Sequence, residues 1–147
     1  QSRAEAVRRD RNLMQRYPDT ETHQMAREAA LADVRTSMQL SELRQTELAR
    51  ERKPLLEEAE FYKGKALPPK LRQQLDANEA ATSAQRDAQN NQRAELDRVN
   101  KLFDVELARL KRLWAGAAPG SLGPSVAEAA SAAGTTPAKP VVARQGK

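Results

Sequence analysis

The stretch Glu58–Leu71, EAEFYKGKALPPKL, decides how this chain folds. It brings together Phe61 and Tyr62, half of the four Phe and Tyr residues, and follows them with Gly64 and the adjacent Pro68 and Pro69. The flanking sequence is polar, helix-forming and nearly free of aromatics. A glycine supplies the positive φ that ends a helix, and a proline suits the first helical position of the next. The stretch therefore reads as a turn between two long helices. Phe61, Tyr62, Leu67 and Leu71 are expected to close that turn as a small apolar plug. The functional alternative is an exposed aromatic tip, Phe61 and Tyr62, that grips a partner.

Outward from the turn, both flanks carry helical periodicity. The preceding segment, about 20–63, has the track Leu31, Val34, Met38, Ser41, Gln45, Leu48, Arg52, Leu55, Ala59 and Tyr62. Pro54 falls inside it, where a missing backbone donor and a steric clash predict a kink or short break. The following segment, about 69–114, has Leu71, Asn78, Thr82, Gln85, Gln89, Gln92, Leu96, Val99, Phe103, Leu110 and Leu113, with Leu75 and Leu107 alongside. Folding the chain at about Ala66 sets Leu31 against Phe103, Val34 against Val99 and Met38 against Leu96. Ser41 and Gln45 then face Gln92 and Gln89, and Leu55 faces Asn78 and Leu75. Apolar meets apolar at both ends and polar meets polar between them, as an antiparallel, coiled-coil-like hairpin requires. The polar layer reads as a device that fixes register; a looser middle, for bending or partner exchange, is the functional alternative.

A shorter helix is expected over about 3–17, ended by Pro18, with Asp19 or Thr20 capping its successor. Its apolar residues Val7, Leu13, Met14 and Tyr17 need a cover, although Asp10 interrupts their face. The hairpin's open end offers Met25, Leu110, Leu113 and Trp114, which predicts a local three-helix bundle with the sole tryptophan at least partly buried. Residues 3–16 hold five arginines and two acids, and Arg8, Arg9 and Arg16 project away from the apolar face. That edge is either solvation or a contact for an anionic partner. The helical domain is thus expected over 1–116. From 117 to 147 the composition turns to Ala, Gly, Ser, Pro and Thr, which predicts a flexible tail with one transient helix capped by Ser125 and Glu128.

Composition agrees with an all-α chain. Of 147 residues 39% are hydrophobic, 3% aromatic and 31% charged, so helices sharing a narrow seam are favoured over a thick core. The net charge of +5 is mild, and acids are interspersed with bases, so it is no nucleic-acid signature by itself. No run approaches the ~18 apolar residues of a membrane span. Cysteine is absent, which removes disulfides, thiolate zinc sites and cysteine nucleophiles. The first residue is Gln, which points to a processed chain or a fragment; signal-peptide removal is one route and a recombinant boundary another.

Signals for chemistry are sparse. His23 is the sole histidine and reads as a surface residue in the first turn of a helix. Carboxylates such as Glu57, Glu58 and Glu60 beside Lys63 read as a solvated face with i,i+4 pairing. No glycine-rich phosphate loop, GxSxG elbow or HExxH motif occurs, so no catalytic, cofactor or metal residue is assigned and no small-molecule substrate is expected.

The strings RRDRNLMQRYPDTETH, EAEFYKGKALPPKL and NKLFDVELARLKRLWAG together resemble the helical part of bacterial envelope proteins in the group called domain of unknown function 4124. The resemblance covers about residues 5–116. That group commonly carries a small Cys-containing β domain ahead of such a helical region, and this sequence has none. The resemblance implies an exported, periplasmic protein and supplies no catalytic residue. The expected function is non-enzymatic binding or scaffolding, with an unknown protein or an anionic envelope component as partner. A chaperone-like holder of client proteins is the alternative, distinguished by assembly of several arms into an oligomer. A basic nucleic-acid binder ranks behind both, since stacking aromatics and a reading helix are missing.

Overall fold

The computed structural model describes residues 2–124, and the sequence-predicted tail over 125–147, with its Ser125–Glu128 cap, lies outside them. Among the described residues there are three helices, α1 (Arg3–Arg16), α2 (Thr20–Glu60) and α3 (Pro69–Trp114), and no strand. They divide into two compact units. Gln24–Lys101 form the first; the described residues before Gln24 and after Lys101 form the second.

The first unit is the antiparallel hairpin. Its α2 track, Leu31 to Tyr62, and its α3 track, Leu71 to Val99, are buried or half-buried at every position named from periodicity. The polar layers fix the pairing. Gln92 donates to the Ser41 hydroxyl at 3.0 Å, as the mirrored register requires. The buried Asn78 amide donates to the Leu48 carbonyl at 2.9 Å, and its oxygen accepts from Arg52 at 3.2 Å. Elsewhere in the middle layer Gln45 Nε2 and Gln92 Oε1 are buried without a protein partner, so this layer gives up stability for register. Pro54 does not interrupt α2, which is helical without a break from Thr20 to Glu60. The lost donor leaves one carbonyl of the preceding turn without its intrahelical bond, on a residue that is itself exposed.

The turn closes as glycine and proline dictate. The last turn of α2 tightens through Tyr62 N–H to Ala59 O and Lys63 N–H to Glu60 O. Gly64 then takes φ 78°, and Pro69 opens α3 with Arg72 N–H returning to Pro68 O. The expected plug is only partly there. Leu71 is buried and Tyr62 and Leu67 are half-buried, whereas Phe61 is 85% exposed. Phe61 sits one residue beyond the regular helix, where the tightened turn rotates it off the seam that Tyr62 occupies.

The second unit packs α1 against the C-terminal turns of α3. Ser2 caps α1 by accepting Glu5 N–H, and Asp19 caps α2 by accepting Thr22 N–H at 2.7 Å. Leu110 and Leu113 are buried, Tyr17 is buried, and Trp114 is half-buried with its indole N–H donating to Tyr17 O at 3.1 Å. Two expectations are corrected here. Met25, expected to be covered, stands 68% exposed. His23 is no surface residue: it is 1% exposed and lies between Tyr17 and Phe103. The α2 seam runs backward from Leu31 through Arg27 to His23 in steps of four, and Met25 lies two residues, or about 200°, off it.

A third correction concerns the start of the expected tail. α3 ends in a Schellman motif, with Ala117 N–H to Arg112 O, Gly116 N–H to Leu113 O and Gly116 at φ 109°. Beyond it Gly120, at φ 84°, lies so close to Val7 that an added Cβ would come within 2.7 Å of the valine side chain. Gly120 is therefore held against α1 and Gly123 against α3, through contacts that composition does not encode.

Candidate functional site

Two clusters carry the concentrated polar chemistry, one in each unit. In the second unit Asp10 is the centre. It is 2% exposed and accepts from Arg109 Nε at 2.7 Å and Nη2 at 3.2 Å, a bidentate pair. The Gly120 amide adds a third donor at 2.7 Å, while Arg109 Nη2 also donates to Gly123 O at 2.9 Å. Burial alone would push the Asp10 carboxyl up, but the hydrogen bonds from Arg109 and Gly120 and the guanidinium charge together hold it below its ordinary range. On the neighbouring helices His23 Nε2 lies 3.0 Å from Glu106 Oε1. The imidazole meets the Tyr17 ring edge-on at 4.9 Å and the Phe103 ring at 5.2 Å.

An acid, an arginine, a histidine and a glutamate lie in this unit, each engaged with another part of it. Asp10 is buried and accepts three hydrogen bonds, and the His23 ring is buried between aromatic rings. Both are pins that tie helix to helix, and their partners lie 83 to 110 residues away in sequence, beyond the reach of any local motif.

The turn is the opposite case. Phe61 is the most exposed large apolar residue described, held on backbone fixed by Gly64 and by Lys65 N–H to Tyr62 O at 2.7 Å. Lys63, Lys65, Lys70 and Arg72 follow it without an intervening acid, and all four are exposed. Glu57, Glu58 and Glu60 stand exposed in the turn before. Here, then, is a turn presenting one exposed aromatic ring, with exposed acids before it in sequence and exposed cations after it.

The sequence-predicted basic edge is also outward. Arg8, Arg9 and Arg16 are exposed on α1, but Arg9 lies 4.0 Å from Glu5, and the Arg16 guanidinium sits 5.8 Å from the Tyr17 ring centroid. All three arginines thus stay on the surface, Arg9 and Arg16 with partners within their own helix or beside it. No three His, Cys, Asp or Glu side chains among the described residues converge as a metal would need, and no described helix is long and apolar enough to cross a membrane. No family model, curated protein or solved structure matches this chain.

Proposed function

We propose that this protein is a non-enzymatic binding or scaffolding hairpin whose turn delivers Phe61 to a partner protein. One observation carries the reading: an aromatic ring 85% exposed on a conformationally fixed turn. Leaving a phenylalanine in water forgoes roughly 1.5–3 kcal/mol of burial, and a bound partner recovers it. The exposed cations that follow it, Lys63, Lys65, Lys70 and Arg72, favour an apolar pocket edged by acidic groups. The proposed setting is the bacterial periplasm, supported by the resemblance of the YPD, EFYKGK and LKRLW strings to exported envelope proteins.

A pull-down from native envelope extract tests the reading. Phe61→Ala should lose the captured partner while helicity by circular dichroism stays unchanged. Should Phe61→Ala retain the partner, and replacement of Arg8, Arg9 and Arg16 by Gln lose it, the basic edge is the binding surface instead. If neither variant changes capture, the turn has no binding role.

A further inference from the structure

α2 has two apolar faces, and α3 covers only one. Met25, Ala29, Ala32, Thr36, Leu40 and Leu43 recur at intervals of 4, 3, 4, 4 and 3 residues, and all six are exposed. At about 100° per residue they fall within an arc of about 80°, centred about 180° from the seam that runs through Leu31, Val34, Met38 and Ser41. Met25, Leu40 and Leu43 are 68%, 62% and 64% exposed, more than any other described Leu, Val or Met. Thr36 does not break the stripe, because its hydroxyl donates to Ala32 O of its own helix at 3.0 Å. A single exposed leucine is ordinary; a second periodic stripe on the back of a hairpin helix is a surface.

We infer that this stripe is a self-association face, on which α2 of a second copy lies antiparallel. Side-chain size gives the first reason. The stripe is small in its first half (Ala29, Ala32, Thr36) and large in its second (Leu40, Leu43). A two-fold axis beside residues 37–38 sets Leu40 against Thr36 of the second copy and Leu43 against its Ala32, so small meets large along the contact. Charge gives the second. On one flank of the stripe Arg35 then lies across from Glu42 of the second copy, twice by symmetry, and joins the Glu28 carboxylate it already pairs with in its own chain. A parallel arrangement would instead bring Glu28 beside Asp33 of the other copy, which is repulsive. With the axis there, the apolar contact from Ala32 to Leu43 runs about 17 Å along the helix at 1.5 Å per residue.

The absence of cysteine makes the test direct. In the full chain, Thr36→Cys lies beside the proposed axis and should form a disulfide-linked dimer, whereas Met25→Cys, at the far end, should not. Sedimentation equilibrium should show a concentration-dependent dimer, and Leu40→Glu with Leu43→Glu should weaken it at least tenfold with helicity retained. Arg35→Glu and Glu42→Arg should each weaken the dimer, and the double exchange should restore it. A monomer at all concentrations overturns the inference. Crosslinking at both cysteine positions means a parallel pair and overturns it too, as does a dimer unchanged by the leucine substitutions.

Discussion

Asp10 shows how one side chain can organise a helix junction. It was legible in the sequence only as a flaw, a charge inside the apolar face formed by Val7, Leu13 and Met14. Its three donors come from Arg109 and Gly120, and periodicity has no means of seeing them. The same holds for His23, whose neighbour Glu106 lies on another helix. Removing a buried charge strands its partner, at a cost of about 3–5 kcal/mol. Asp10→Ala should therefore destabilise the unit that holds it by that order, measured by urea denaturation followed through Trp114 emission. Asp10→Asn, which keeps the shape without the charge, should fall between Ala and wild type.

For the helices themselves, sequence reasoning went much further. The starts of α1, α2 and α3 and every buried position of the hairpin seam follow from periods, caps and prolines, because those causes are local, whereas α2 ends at Glu60, short of the expected end near 63. The Ser41–Gln92 bond follows as well, since mirrored distances from one turn fix it. What failed was whatever depended on rotation at an end. Phe61 turns outward where α2 tightens, and Met25 falls on the uncovered face. Residues 117–124 escaped notice because their composition is that of a linker, while their hold is made by one backbone amide and one carbonyl. A chain ending after Gly116 should accordingly be less stable than one ending after Pro124 by about 2 kcal/mol, the worth of a hydrogen bond to a charged group. Thermal melts of the two chains, read at Trp114, check this; equal melting temperatures would mean that Gly120 and Gly123 contribute nothing.

Taken whole, the molecule joins two units stabilised by different means, and acid should separate them. The Asp10 carboxyl titrates below its ordinary value of 3.8 when folded. Its stabilisation is therefore complete above about pH 4 and lost as the pH falls through the lowered value. Asp19, lowered by its bonds from Thr22, shifts in the same direction in the same unit. In the hairpin no named seam position is a carboxylate, and the lowered carboxyl of that unit, Glu95, is paired with Arg98 in the open, where pairing contributes little. On acidification, Trp114 emission should change at a higher pH than the loss of helicity by circular dichroism. Coincident transitions would show that Asp10 does not set the acid limit.

The mirrored layers of the hairpin also constrain descent. Losing seven residues from α2 between Gln45 and the turn keeps its own stripe intact, yet slides Val34 and Met38 opposite Gln92 and Gln89. Losing seven from α3 at the mirrored place brings every layer back into match. A duplication or deletion in one arm is thus tolerated only with its twin in the other. Lineages of this hairpin should lengthen or shorten by paired steps of seven, each pair leaving the glycine–proline turn untouched.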